Sequence, residues 1–339
     1  MKLSILLVLI FTTSCSSKQT PICNERLGVV EYGTSRIKLL IADINRCQHQ
    51  LNTIIHKQEW EVETDRNILR ENDGSLFLNR VVIDRTLEVS AEARSALSKF
   101  NVKAVSGIAT GTYRTITTAP LILGNYGRAL GGQVRVLSKL DEVSMSLRSV
   151  MAKEKPKGKF IVWDFGGNSM QFSVVVDKVS SSIVGLPGST PIKEEVSSFL
   201  GKKNSPNPIL ASKLPMVEKH LIQKYFTALN SLSSIKEVQI YGVGGVHVKS
   251  IEGNLHNLLG VSLVENTYTK DQVDELVKKL VELKDIDIGG LFASAQATNA
   301  LTIYAIMNYV GWDKVILSEQ TLALGYMITD FAGKLPPVK

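Results

Sequence analysis

Two stretches of the sequence decide the fold: VVEYGTSRIKLLIAD at residues 29–43 and IVWDFGGNSMQFSVVVD at residues 161–177. Each consists of an apolar run, an acidic residue, an aromatic residue, a turn that contains glycine, and a second apolar run. The two acidic residues, Glu31 and Asp164, are 133 positions apart, which is about the length of one domain. The pattern predicts the same strand-turn-strand unit at the start of each half of the chain.

The rest of the chain alternates between strand patterns and helix patterns. Strands are expected at 104–109, 133–137, 238–246 and 314–318, and helical spacing occurs within 83–99, 115–130, 217–232, 271–283, 295–310 and 321–332. This alternation is typical of an α/β layered fold. A charged connector broken by proline and glycine, at 153–159, indicates a domain boundary near residue 150, although a surface loop within one domain also fits.

The composition is that of a folded protein, since 44% of the 339 residues are hydrophobic and 21% are charged. It excludes a disordered, fibrous or polytopic membrane protein. The length favours two domains of ordinary size. The formal charge of +7 favours anionic partners, but the basic residues are mixed with 32 acidic ones, so no nucleic-acid partner is expected.

Residues 1–14, MKLSILLVLIFTTS, have the single lysine, the short apolar run and the small polar end of an export signal peptide. Thr13 and Ser14, directly before Cys15, resemble a bacterial lipoprotein cleavage site, which would make Cys15 the lipidated N-terminus. A plain secretory signal is the alternative. We therefore expect an exported, periplasmic lipoprotein that is anchored to the membrane through Cys15, with residues 15–26 as a tether.

Cys23 and Cys47 flank the first predicted hairpin. Antiparallel pairing about Thr34 or Ser35 places the two cysteines opposite one another at the open end of that hairpin. Directly opposed residues are close enough for a disulfide, and an oxidising compartment would favour it. Two unpaired thiols on the strand ends are the alternative.

Six short segments, in order along the chain, are similar to motifs of one known family. They are 29–40, 109–114, 136–142, 161–169, 242–245 and 317–325. They resemble the two phosphate motifs, the Ala-Thr-Ser-Ala-x-Arg segment, the Ser-Gly-x-Glu-Glu stretch, the Gly-Val-Gly-Gly turn and the closing helix of the exopolyphosphatase and guanosine pentaphosphate phosphatase family, in the actin-like superfamily. The resemblance implies an α/β fold of two actin-like (ribonuclease H-like) domains with a cleft between them. The domains would span 27–150 and 151–318, with a C-terminal helix at 319–333 packing back on the first domain.

The same resemblance implies a magnesium-dependent hydrolase that removes a terminal phosphate from polyphosphate or from a guanosine penta- or tetraphosphate. Glu142 would activate the attacking water, and Arg114 would hold phosphate oxygens. Glu31 and Asp164 would place the Mg²⁺ ion. The turns would bind phosphate through Gly33, Thr34, Ser35, Gly166, Gly167, Asn168, Ser169, Gly244 and Gly245. Without the resemblance, Glu142 would be interpreted as a solvated residue at a helix start, and a surface salt bridge would fit Arg114 as well as the phosphate role does.

The sequence departs from the family pattern at several of these positions. Glu31 replaces an aspartate, Asn168 replaces the third glycine of the second turn, and Gln171 stands where an acidic residue is frequent. These changes leave open a sensor that binds phosphorylated ligands without turnover. The turn at 242–245 also leaves open an ATPase or kinase, and a homodimer is compatible with each of these functions.

Overall fold

Two β-sheets, one in each half of the chain, form the framework of the protein. The computed structural model describes residues 23–177 and 179–329. The predicted signal peptide and lipidation site, at residues 1–15, and the end of the predicted C-terminal helix, at 330–333, lie outside the described residues. Among the helices in the two described ranges, none combines the length and the apolarity that crossing a membrane requires.

The strands and helices alternate as the sequence predicts. The strands are β1 Asn24–Tyr32, β2 Arg36–Asn45, β3 Gln50–Glu61, β4 Ile68–Arg70, β5 Leu76–Leu78, β6 Ala104–Ala109, β7 Gln133–Val136, β8 Phe160–Phe165, β9 Ser169–Val176, β10 Val179–Pro187, β11 Gln239–Val243, β12 Thr267–Thr269 and β13 Lys314–Leu317. The helices are α1 Arg80–Lys99, α2 Ala119–Leu130, α3 Lys139–Glu154, α4 Ser189–Phe199, α5 Leu214–Leu221, α6 Glu252–Leu259, α7 Lys270–Val281, α8 Asp285–Ile288, α9 Ala293–Val310 and α10 Leu322–Thr329. Short 3₁₀ or π segments lie at Thr64–Asn67, Gly111–Arg114, Ala211–Lys213, Ile222–Phe226, Thr227–Ser234 and Val246–Ile251.

The two sheets begin with the same topology. The first has the strand order β3-β2-β1-β6-β7, and the second has the order β10-β9-β8-β11-β13-β12. In each sheet an antiparallel hairpin, β1–β2 or β8–β9, is followed by a parallel strand on the other side of the first hairpin strand. The sequence repeat at 29–43 and 161–177 is therefore also a repeat of structure.

A disulfide links the two strand ends of the first hairpin at the end opposite its turn. Its strands pair in antiparallel register out to Asn24, which lies opposite Asn45. Beyond this pair a disulfide joins Cys23 to Cys47, whose Cα atoms are 5.2 Å apart. Of the two alternatives that the sequence leaves open, the structure contains the bridged one.

Helix α3 lies between the two sheets and is part of both cores. Met145 packs with Val29 of β1 and with Leu324 of α10 against one face of the first sheet. Five residues further along, Val150 packs with Val162 of β8 against the second sheet. The helix passes through residue 150, so a division into two domains at that residue stays a prediction. Two residues on the N-terminal half of α3, Glu142 and Ser146, line the space between the sheets.

The helix expected within 115–130 lies inside that range and begins at Ala119, where Pro120 occupies its first turn. Two other elements end earlier than predicted, each for a local reason. The strand expected to reach residue 246 ends at Val243 because Gly244 has a φ of +90°, which is outside the strand region. The helix expected over 217–232 is regular only to Leu221 and continues as π and 3₁₀ turns, which carry nearly the same side-chain spacing.

Gly325 allows α10 to cross closely over α3. A Cβ atom at residue 325 would overlap the backbone carbonyl oxygen of Met145. We expect Gly325→Ala to lower the free energy of unfolding by about 1–3 kcal/mol, because a backbone atom cannot turn aside as a side chain can. Thermal unfolding measures the effect. Gly253→Ala, in α6 with open space around its Cβ position, is the matched control and should unfold near the wild-type temperature. Equal melting temperatures for all three proteins would contradict this close packing.

Candidate active site

A cavity of about 300 Å³ lies between the two sheets. The turns after β1, β8 and β11 line it together with the first two turns of α3. The predicted site residues that line the cavity are Glu31, Gly33, Thr34, Ser35, Glu142, Asp164, Gly166, Gly167, Asn168, Ser169, Gly244 and Gly245. Arg114 does not line it and instead contacts Glu142. Residues that are distant in sequence thus meet at one site.

The two glycine turns are linked through the side chain of Thr112 beside this cavity. The Asn168 side chain donates a hydrogen bond through Nδ2 to Thr112 Oγ1 over 2.7 Å. The hydroxyl of Thr112, which is buried, donates in turn to Thr34 Oγ1 over 3.1 Å. Asn168, which replaces a glycine of the family pattern, therefore connects the second turn to the first.

Glu142 is placed on the cavity by the start of α3. Ser138 caps this helix, and its hydroxyl and the Asp141 carboxylate form a reciprocal capping box. Glu142, one residue further on, is only 2% exposed. Burial raises the pKa of its carboxyl group above the usual value, and the nearby Arg114 opposes this shift. A carboxylate with a raised pKa beside a cavity suits a general base.

Arg114 is held by Glu142 and does not point into the cavity as a free phosphate ligand. Its Nη1 donates to Glu142 Oε1 over 2.6 Å and to the carbonyl oxygen of Leu137 over 2.9 Å. The backbone N–H of Gly111 donates to the same Oε1 over 3.3 Å. The structure thus shows a partly buried ion pair where the resemblance implied a phosphate clamp, because the turn after β6 places the guanidinium directly beside the start of α3.

Glu31 contacts one cation and leaves one oxygen unpaired. Lys38, its cross-strand neighbour, approaches Glu31 Oε1 to 3.4 Å, and this contact raises the pKa of Lys38. The other oxygen, Oε2, is buried and has no hydrogen-bond partner among the described residues. A buried acceptor without a partner is unfavourable, and such an atom is suited to receive a ligand.

Asp164 is buried beside Glu31 and receives two hydrogen bonds on one oxygen. Ser146 Oγ donates to Asp164 Oδ2 over 2.5 Å, and Gln171 Nε2 donates to the same atom over 2.9 Å. Burial raises the pKa of Asp164, and the two donors oppose this rise. The donors therefore favour the ionised carboxylate in a site that also contains the carboxyl group of Glu142.

The donor set fits a Mg²⁺ ion that is shared with a phosphate ligand. Within residues 23–177 and 179–329, no group of three or more His, Cys, Asp or Glu side chains is placed to hold a metal by itself. Mg²⁺, however, is commonly bound by one or two carboxylates, with waters and substrate phosphate oxygens completing its octahedron. Glu31, with its unpaired buried oxygen, and Asp164 provide two such carboxylates.

Gly244 is the position in the third turn where a side chain cannot be accommodated. Its φ is +90°, and a Cβ atom would lie 2.8 Å from Asp164 Oδ1 and 2.6 Å from the carbonyl oxygen of Phe165. We expect Gly244→Ala to destabilise the protein by about 1–3 kcal/mol and to displace the Asp164 carboxylate. Gly245→Ala, one residue further on, is the matched control, because no atom lies within 4 Å of its Cβ position. Thermal unfolding of the two variants tests this, and equal melting temperatures would contradict it.

Several residues that line the cavity were not predicted as site residues from the sequence. They are Arg36, Lys38, Ser146, Ser189, Lys249, Ser250, Phe292, Gln296 and Asn299. Two of them carried a usable signal. Ser146 is one helical turn after Glu142, and Lys38 lies opposite Glu31 in the hairpin register. The residues from Lys249 onward belong to helical segments whose distance from the turns depends on the tertiary fold.

Two α/β units of the same topology, with their glycine turns on either side of a cavity lined by both acidic and basic residues, define a two-domain protein of the actin-like class. A profile of the Ppx/GppA phosphatase family matches residues 43–322, and the chain belongs to that family. A comparison with curated protein sequences gives no significant match.

Solved structures agree with the fold. The chain is similar to the PPX-GPPA enzyme of Aquifex aeolicus, with a TM-score of 0.71 and 19% identity over 91% of this chain and 100% of that one. It is also similar to an exopolyphosphatase of Cytophaga hutchinsonii, with a TM-score of 0.72 and 16% identity over 90% of this chain and 98% of that one. The prediction of an α/β fold with two actin-like domains and a cleft between them is confirmed.

Proposed function

We propose that this protein is a Mg²⁺-dependent phosphoanhydride hydrolase that removes the terminal phosphate from polyphosphate or from a guanosine penta- or tetraphosphate. Membership of a phosphatase family supports a phosphate hydrolase in general terms. The observation that supports the specific proposal is that Glu142, Glu31 and Asp164 line the same cavity, between two glycine turns. This reaction requires two carboxylates that place a cation, a third carboxylate that activates water, and turns that bind phosphate.

Basic side chains at the cavity support an anionic substrate. Arg36, Lys38 and Lys249 all line it. Glu59 of β3 lies 3.6 Å from the guanidinium of Arg36 and 3.8 Å from the ammonium of Lys249, so it holds cations from both halves of the chain near one another. When a phosphate chain enters, Arg36 and Lys249 would exchange their weak, solvent-screened contacts with Glu59 for stronger contacts with phosphate oxygens.

Glu142 has the role of general base in this proposal. The attacking water gives a proton to a Glu142 oxygen while its own oxygen forms a bond to the terminal phosphorus, and the bond from that phosphorus to the leaving phosphate breaks. Arg114 and the N–H of Gly111 hold the carboxylate in place, as the hydrogen bonds show in the free protein. A bound Mg²⁺ ion would stabilise the charge that develops on the phosphate oxygens.

The location of the protein is part of the same proposal. The apolar signal of residues 1–14 and Cys15 support an exported, periplasmic lipoprotein that is anchored to the membrane. The substrate would then be polyphosphate or a nucleotide that is present in the cell envelope.

Phosphate release from purified protein tests the proposed activity. With Mg²⁺ present, we expect release from polyphosphate or from guanosine pentaphosphate, and loss of that release when a chelator removes the metal. ATP is included because the superfamily also contains ATPases and kinases. A protein that releases no phosphate from any of the three substrates would contradict the hydrolase.

A sensor that binds phosphorylated ligands without turnover is the second candidate. The observation that favours it is the Glu142 carboxylate itself, which already accepts hydrogen bonds from Arg114 and Gly111. The sensor predicts that polyphosphate raises the melting temperature while no phosphate is released. Phosphate release under the same conditions would exclude this candidate.

A further inference from the structure

Ser146 is a buried polar residue of the cavity, and the described partner of its hydroxyl is a carboxylate. It is 4% exposed, lies on α3 one turn after Glu142, and donates through Oγ to Asp164 Oδ2 over 2.5 Å. This hydrogen bond connects α3, which carries the general base of the proposed function, to β8, which carries Asp164. A buried, charge-assisted hydrogen bond of this length is among the stronger interactions that a carboxylate makes.

The hydrogen bonds to Asp164 are distributed unequally between its two oxygens. Ser146 and Gln171 both donate to Oδ2. Oδ1 lies beside Gly244, the position where a side chain would approach it to 2.8 Å. Two donors on one oxygen fix the rotation of the carboxylate, so the other oxygen is left for a ligand in a defined position.

We propose that Ser146 is a positioning residue for the divalent cation: by holding Asp164 Oδ2, it presents Oδ1 to the metal. The inference rests on the proposed function in one respect, the assignment of Asp164 to the cation. Removing a hydrogen bond to a side chain that binds a metal typically lowers the metal affinity by about 10- to 100-fold. Ser146 contributes to the affinity for the metal in this way without contacting the metal itself.

Manganese binding to the purified protein tests this inference without any turnover. Mn²⁺ prefers the same oxygen ligands as Mg²⁺, and its free form is measured by electron paramagnetic resonance. We expect Ser146→Ala to weaken Mn²⁺ binding about 10-fold, in the presence of inorganic phosphate, relative to wild type. Gln171→Leu removes the second donor to Oδ2 and should weaken Mn²⁺ binding in the same direction.

Ser149→Ala is the matched control. Ser149 is also buried on α3, but its hydroxyl donates to the backbone carbonyl oxygens of Met145 and Ser146 and does not line the cavity. We expect Ser149→Ala to bind Mn²⁺ as the wild type does, whatever its melting temperature. Wild-type affinity in Ser146→Ala, an equal loss in Ser149→Ala, or no Mn²⁺ binding to the wild-type protein would each overturn the inference. Normal Mn²⁺ binding without phosphate release would instead contradict only the hydrolase.

Discussion

Glu142→Gln is expected to lower the rate of phosphate release by about a thousandfold, while the protein stays folded and still binds phosphate. The amide has the size and shape of the carboxylate but cannot accept a proton from water, and general-base catalysis typically contributes about 10²- to 10⁴-fold. The fold should persist because the substitution changes almost no volume in a side chain that is 2% exposed. The Arg114 guanidinium would lose its charged partner, but the Arg114 side chain is 19% exposed and keeps its hydrogen bond to the carbonyl oxygen of Leu137. Steady-state phosphate release gives the rate, and thermal stabilisation by inorganic phosphate gives the binding.

Glu154→Gln is the control for this prediction, since it makes the same chemical change on the same helix away from the cavity. Glu154 accepts a hydrogen bond from Ser318 over 2.9 Å and does not line the cavity. Its rate should stay near that of the wild type. If Glu142→Gln released phosphate as fast as Glu154→Gln, Glu142 could not be the base, and the water would have to be activated by another group.

Strands β1, β2 and β8 could be predicted because their residues carry a local pattern. β8 is buried at all six positions, and a strand covered on both faces has a nearly continuous apolar sequence, to which Asp164 is the one exception within 160–165. The end of α5 at Leu221 could not be predicted in this way. The π and 3₁₀ turns that follow bury Phe226, Leu229 and Leu232 at spacings that a regular α-helix would also give.

The part of the candidate site that the glycine turns form could be predicted from the sequence. The contacts between side chains of different elements could not. Gly33 and Gly166 lie in turns whose chemistry is local, so their place follows from the sequence around them. The contact between Arg114 and Glu142 joins the turn after β6 to the start of α3, and only the packing of α3 between the sheets determines it. The same packing brings Ser146 to Asp164, so both features required the structure.

Arg114→Met is expected to impair the protein in two ways that can be measured separately. Glu142 would lose the partner that opposes the effect of burial, so its pKa, which is already raised, would rise further. A base works in its deprotonated form, and the acid limb of the pH profile of kcat/KM should therefore move to higher pH. At neutral pH we expect phosphate release to fall by about 100-fold or more, and the unpaired buried carboxylate should lower the free energy of unfolding by about 3–5 kcal/mol.

A double-mutant cycle distinguishes loss of this ion pair from a general disturbance of the site. In Arg114→Met combined with Glu142→Gln, no buried charge is left unpaired, so the double variant should be more stable than Arg114→Met alone. Arg114→Lys keeps the positive charge and should retain part of the pH profile, although a single ammonium cannot reproduce the two contacts of the guanidinium. If Arg114→Met kept the wild-type acid limb, the ion pair would not determine the protonation of Glu142. Arg114 would then serve only to hold the start of α3 against the turn after β6, through its hydrogen bond to the carbonyl oxygen of Leu137.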